Sequence, residues 1–192
     1  MPKNIVLGVT GSIAAYKAVE VVSSLVKQGN RVTVIMTSCA QRFVTPVTFQ
    51  TISKNKVITD LFVDSENYDP EHVALAEQAD LIVIAPATAN FIGKVASGIA
   101  DDALTCTVMA ARSSVIIVPA MNDSMYLNPI VQDNIKRLTK LGYKIIEPEK
   151  GRLCTGRVGI GRLASVEKIV DVINKELKKK RKGGDSPLCC EL

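Results

Sequence analysis

The apolar residues of this chain gather in five short runs separated by stretches that carry helix start and stop signals. The runs are IVLGV (Ile5 to Val9), RVTVIM (Arg31 to Met36), LIVIAP (Leu81 to Pro86), SVIIVPA (Ser114 to Ala120) and KIIEP (Lys144 to Pro148). They are rich in β-branched residues, and the central ones are apolar at successive positions rather than alternating. That pattern predicts strands covered on both faces. Between them, Ala14 to Gln28 reads as a helix stopped by Gly29, and Pro129 to Leu141 as one opened by Asn128 as N-cap with Pro129 at N1 and closed by Gly142. A last helix, Val166 to Leu177, follows Ser165 as cap. The alternation predicts βαβ units and therefore an α/β fold: a doubly wound, Rossmann-like or flavodoxin-like open parallel sheet with helices on both faces. A chain of 192 residues with 47% hydrophobic content suits one such domain, expected to span 1–177.

Charge changes the picture less than it first promises. The formal net charge is +5, but Lys178, Lys179, Lys180, Arg181 and Lys182 stand against only Asp185 and Glu191 in the final fifteen residues. That segment holds +3, which leaves +2 for the body. A near-neutral body without a basic, aromatic-studded face argues against nucleic acid as a partner. The polar, basic, glycine-broken segment 178–192 is expected to be a disordered tail or a linker. Its terminal CCEL only loosely resembles a prenylation box, since Glu191 is not aliphatic. Five cysteines without a CxxC pair, and a single histidine, favour neither a structural zinc site nor a disulfide framework, so no metal is expected. The opening residues lack a signal-peptide layout and no stretch approaches membrane-spanning length; a cytoplasmic protein with no membrane partner is the expectation.

In open parallel sheets, ligands bind at the carboxyl ends of the strands, and here those ends carry the unusual residues. In GVTGS (Gly8 to Ser12), Gly11 and Ser12 sit at a strand-to-helix turn where free N–H groups favour a phosphate. The segment is neither a GxGxxG nor a GxxxxGK[ST] motif. Thr37 and Ser38, after the second run, add hydroxyl donors. After the third run, APATAN combines small residues, which admit a flat ring, with Thr88 and Asn90, whose amide can serve a heterocycle edge. A close helix–sheet contact would use the same alanines. His72 lies three residues beyond Asp69, the expected N-cap of a helix with Pro70 at N1. The positive helix end disfavours imidazolium, which suits a base but equally suits a surface residue. Asn122, in PAMNDSM, is placed to meet a carboxylate or a carbonyl, or simply to shape a turn; Met121 and Met125 read as packing.

Taken in order, GSIAAYK, His72 ahead of LAEQADLIVIAPATAN, KVASGIADDALT, PAMNDSMYLNP and the glycine-rich segment GRLCTGRVGIGRL resemble one family. It is that of the homo-oligomeric flavin-containing cysteine decarboxylases, and within it the phosphopantothenoylcysteine decarboxylase branch of coenzyme A synthesis. The resemblance runs from residue 4 to about 177. It implies FMN held by Gly11, Ser12, Ile13, Thr37 and the stretch Ala87, Thr88, Ala89 and Asn90, between the subunits of a homotrimer or of an assembly of trimers. It implies His72 as catalytic base, Asn122, Ser124 and Met125 as substrate-binding residues, and the glycine-rich segment as a clamp over a phosphorylated, cysteine-containing small molecule. The implied reaction is decarboxylation of 4′-phosphopantothenoylcysteine to 4′-phosphopantetheine. Oxidation of the cysteine unit to a thioaldehyde creates the electron sink, CO₂ leaves to give an enethiolate, and re-reduction completes a net non-redox reaction.

The acid of that last step is, in the family, a cysteine in a stretch resembling LACG. Here the segment is LCTG, with Thr155 in the expected place and Cys154 one residue early. A shift of one residue in an extended segment turns a side chain to the other face, although a glycine-rich loop can re-register. Cys154 is the candidate acid. Its displacement keeps a second reading open, oxidative decarboxylation of a peptide's C-terminal cysteine to an aminoenethiol. A non-catalytic FMN-binding regulatory subunit is a third, although such a module needs neither His72 nor Asn122. Arg157 or Arg162 is expected to meet the anionic end of a phosphorylated substrate, with the clamp glycines as hinges.

Overall fold

The computed structural model describes residues 1–62, 71–152 and 156–179. Its core is a six-stranded parallel sheet made of β1 (Asn4–Val9), β2 (Arg31–Met36), β3 (Val57–Ile58), β4 (Leu81–Ala87), β5 (Val115–Pro119) and β6 (Lys144–Ile145). The spatial order is β3-β2-β1-β4-β5-β6. Strand order reverses between β1 and β4, so the chain winds outward in both directions and leaves a crevice at their carboxyl ends. The register pairs Gly8 with Ile35 on one side and with Ile84 on the other. A Cβ at Gly8 would fall 2.5 Å from a methyl of Leu104, so a helix closes directly on the strand there.

The apolar runs behave as expected of doubly covered strands: all seven residues of β4 and all five of β5 are buried. One face packs under α1 (Ala15–Lys27), α2 (Pro46–Ser53) and α8 (Val166–Lys179), through residues such as Leu25, Phe49 and Ile173. The other lies under α4 (Ala89–Ala96), α5 (Ala103–Met109) and α7 (Pro129–Lys140), through Phe91, Ile92, Leu104 and Leu138. The remaining α-helices are α3 (Glu71–Gln78), packed against α5, and the single turn α6 (Asp123–Tyr126). Asn128 caps α7 as its sequence implied, its Oδ1 accepting from the Ile130 N–H at 2.9 Å. Helix α8 runs two residues past the expected end at Leu177.

Besides helices α2 and α5, which no run or cap had marked, three strands depart from the sequence reading. β3 is an unanticipated edge strand of two residues. The glycine-rich segment is not simply a loop: β7 (Glu149–Arg152) and β8 (Val158–Arg162) form an antiparallel hairpin of their own. Its glycines serve close contact more than hinging. A Cβ at Gly159 would fall 2.6 Å from Oδ2 of Asp123, and one at Gly161, where φ is +142°, would fall 2.2 Å from the carbonyl oxygen of Met121. The Met121 N–H donates to the Gly161 carbonyl at 3.0 Å, which seats β8 on the end of β5. Glu149 accepts from the Ser165 N–H at 2.9 Å, and the Tyr126 hydroxyl donates to Glu147 just ahead of the hairpin.

Candidate active site

The carboxyl ends of β1, β2, β4 and β5 converge through backbone bonds before any side chain is considered. Thr10 joins two of them: its buried Oγ1 donates to the Pro86 carbonyl at 2.8 Å and accepts from the Thr88 N–H at 3.0 Å. The Thr37 N–H donates to the Val9 carbonyl at 3.1 Å. Gly11 is required by proximity, since a Cβ there would stand 2.4 Å from Cβ of Cys39. The resulting floor is narrow, polar and made of small residues.

Two cavities open on this floor. The first, of about 440 Å³, is lined by Gly11, Ser12, Thr37, Thr88, Ala89 and Asn90, six of the expected cofactor residues. Several of their oxygens are occupied as acceptors in ways that leave the O–H free to donate outward. Thr37 Oγ1 accepts from the Ala40 N–H at 3.3 Å, Ser12 Oγ from Ala14 at 3.3 Å, and Thr88 Oγ1 caps α4 by accepting from Phe91 at 3.4 Å. A hydroxyl that has taken a local N–H keeps a proton for an anion. The set therefore suits the phosphate and the flat ring of a flavin mononucleotide, and the volume lies in the range of small-molecule sites.

The second cavity, of about 520 Å³, shares Ser12, Ala120 and Met121 with the first and adds Asn122. The Asn122 Oδ1 caps α6, accepting from the Ser124 N–H at 3.0 Å. That bond orients the amide and leaves its NH₂ as the group available to a ligand, as recognition of a carboxylate requires.

Other expected residues are placed differently. Ile13 is half exposed and lines the second cavity, not the first. Ala87 is fully buried at the end of β4, where its carbonyl accepts from Ala120 at 3.0 Å; it shapes the floor from behind. Met125 lines the first cavity, while Ser124 borders a small polar hollow with Asn122, Asp123 and Arg157. His72, on α3, lines neither cavity of its own chain. Cys154 and Thr155 lie outside the described residues, as do Asp69 and Pro70.

The structure adds a group that the sequence reading passed over. Lys94, one turn beyond Asn90 on α4, and Asp102 both line the first cavity. Lys94 Nζ stands 2.7 Å from one oxygen of Asp101 and 3.8 Å from Asp102. The bond to Asp101 raises the Lys94 pKa above its ordinary value, so the ammonium is firmly charged. Asp102 also caps α5 in a reciprocal box with Thr105. The i, i+4 spacing of Asn90 and Lys94 on one helix was the available signal. Among the described residues no cluster of three or more His, Cys, Asp or Glu side chains is placed to hold a metal ion. Nor is any helix among them long and apolar enough to cross a membrane.

This arrangement has relatives. The family model described as Flavoprotein matches residues 1–178. The chain belongs to the flavoprotein family. It is 49% identical over 178 residues, 93% of its length, to the coenzyme A biosynthesis bifunctional protein CoaBC of Borreliella burgdorferi, of which it covers 45%. It thus spans less than half the length of the bifunctional relatives it matches. It is 44% identical over 179 residues to the probable phosphopantothenoylcysteine decarboxylase of Streptococcus mutans, covering 92% of this chain and all of that one. Among solved structures, the FMN-dependent cysteine decarboxylase SpaF matches with a TM-score of 0.81 and 33% identity, over 93% of this chain and 97% of that chain. The family expected from the motifs and the doubly wound fold expected from the alternation of strands and helices both hold.

Proposed function

We propose that the chain is an FMN-dependent carboxy-lyase that converts 4′-phosphopantothenoylcysteine to 4′-phosphopantetheine. The observation that carries this reading is the junction of the two cavities: Ser12, Ala120 and Met121 line both, with Asn122 beside them in the second. A ligand in the first cavity and a substrate in the second would touch there. Bound FMN would supply the two-electron acceptor that a cysteine carboxylate needs before it can lose CO₂, and would hand the hydride back afterwards. Gly11, Ser12, Thr37, Thr88 and Asn90 would hold it. The protein's own part begins with Asn122, whose NH₂ binds and orients the substrate carboxylate.

His72 is the base in this reading, and since it lines neither cavity of its own chain it serves the site of a neighbouring copy. Val73 beside it and Met109 on α5 are exposed apolar side chains of the kind a subunit interface covers. A homotrimer, or an assembly of trimers, is therefore part of the proposal, as is a cytoplasmic setting. Cys154 is the acid that returns the last proton. Similarity to SpaF, an FMN-dependent cysteine decarboxylase, keeps oxidative decarboxylation of a C-terminal cysteine as the competing reaction.

Anaerobic incubation with phosphopantothenoylcysteine separates the two. Phosphopantetheine with the flavin still oxidised supports the proposal, and a dehydrogenated product with bleached flavin overturns it in favour of the competing reaction. In the same assay Asn122→Asp, which replaces the donor by a like charge facing the carboxylate, is expected to lower kcat/KM by roughly a hundredfold while FMN content stays unchanged.

A further inference from the structure

The second cavity is chemically lopsided. Ile13, Tyr16 and Met121 give it apolar wall, whereas Lys17, Arg152 and Arg162 bring three cations to it from three different elements, α1, β7 and β8. None of the three pairs with a carboxylate among the described residues. The accumulation is local, because the body as a whole carries only +2.

The hairpin brings its two arginines together. Its register sets Glu149 opposite Arg162 and Arg152 opposite Val158. The Arg162 side chain runs back over β7: a Cβ at Gly151 would lie 2.8 Å from its Cδ and 2.7 Å from its Nη1. The guanidinium of Arg162 thus passes the residue next to Arg152, a course that any larger side chain at 151 would block. Arg157, the other cation expected to meet an anion, borders the separate polar hollow with Asp123 instead.

Like charges gathered without counter-charge repel one another, and a doubly charged anion relieves that repulsion while using the forked N–H donors of each guanidinium. A phosphate monoester fits this description better than a single carboxylate. We propose that Arg152 and Arg162, with Lys17 across the cavity, form a phosphomonoester subsite, which takes the distal phosphate of a substrate whose carboxylate lies at Asn122. The subsite rests on the decarboxylase reading above and sharpens it. It selects a phosphorylated small molecule over a peptide ending in cysteine, because such a peptide brings an obligatory anion to Asn122 but none to the arginines.

The experiment compares phosphopantothenoylcysteine with its dephosphorylated counterpart, using FMN-loaded enzyme and the Arg152→Gln, Arg162→Gln and Arg162→Lys variants. The wild type is expected to favour the phosphorylated compound, and each Gln variant to reduce that preference by about tenfold to a hundredfold, mainly through KM. Arg162→Lys should recover part of it, since charge is kept but the fork is lost. Calorimetric titration with phosphopantothenate and pantothenate supplies a readout that needs no turnover, and the wild-type preference for the phosphate should shrink in the same variants. Equal losses on both compounds, or an undiminished preference in both Gln variants, would overturn the subsite. Wild-type turnover of both compounds at equal efficiency would also overturn it while leaving the decarboxylase reading intact. Turnover of neither, with phosphate-selective binding retained, would instead remove the decarboxylase reading.

Discussion

Strand β4 leads into the first cavity and strand β8 lines the second, yet all seven residues of β4 are buried while Gly161 is the one buried residue of β8. β4 is held by apolar cover on both faces and by parallel neighbours on both edges. β8 is held by its hairpin partner, by one backbone bond from Met121, by glycines that let it lie close to α6 and the end of β5, and by the half-buried Ile160, its one apolar side chain packed against the core. The difference assigns distinct tasks. The floor, which presents Thr88, Ala89 and Asn90 to the first cavity, cannot shift without disturbing the core. The hairpin carries Arg152 and Arg162 on a platform that contributes little to the core, so its side chains can set selectivity without endangering the fold.

The sheet and the hairpin should differ most in what they contribute to stability. Ile116→Ala, in the fully buried β5, is expected to cost about 2–5 kcal/mol in denaturant unfolding. Ile160→Ala in the half-buried β8 should cost under about 1 kcal/mol. Comparable losses at the two sites would mean that the hairpin belongs to the cooperative core after all.

A smaller effect is expected from Gly161→Ala. The new methyl meets the Met121 carbonyl at a backbone angle disfavoured for alanine, a conflict of roughly 1–3 kcal/mol. Because the hairpin can lift away, much of this should appear as faster limited proteolysis between β7 and β8 and as lower kcat/KM, with FMN content and melting temperature little changed. A large fall in melting temperature would mean that the hairpin unfolds together with the core.

The smallest effect concerns the edge from which the hairpin departs. Burial pushes the Glu176 carboxyl up, but its bond to Lys144 on β6, the charge of that lysine, a bond from Ser114 and the charge of Lys179 together outweigh burial and leave its pKa below the ordinary value. A carboxylate with a lowered folded pKa contributes stability that is present above the ordinary carboxylate range and lost as pH falls through it. Unfolding followed from neutral pH into that range should show this loss, under about 1 kcal/mol, and Lys144→Met should flatten that part of the profile.

The strands and helices most visible along the chain are those whose burial is regular. β1, β2, β4 and β5, and helices α1, α7 and α8, fall within a residue or two of where the runs and caps place them. β3 and β6 are both two residues long at sheet edges and carry no period; only β6 was marked, by its place just after the Gly142 stop of α7. The hairpin escapes because its glycines and arginines read as a loop, and its strands pair with one another and send only Ile160 against the core. The site divides in the same way. Gly11, Ser12, Thr37 and Asn122 were legible because strand ends are where an open sheet binds its ligands. Lys94 was marked only by its i, i+4 spacing from Asn90 on α4, and Asp102 was not marked at all, since nothing local says that the start of the next helix returns to the same crevice.

By itself, then, the sequence determined the order of the principal strands and of the helices between them that carry clear caps, the sheet's parallel character and the residues delivered to its carboxyl edge, because burial and capping leave periodic and local marks. Only the tertiary structure decided that Ile13 faces the second cavity, that Ala87 supports the floor from behind, that His72 stands away from its own chain's cavities, and that Arg162 rather than Arg157 joins Arg152 and Lys17. Each of those placements depends on which distant segment packs alongside, and that contact is set by the closing of the whole fold rather than by neighbours in sequence.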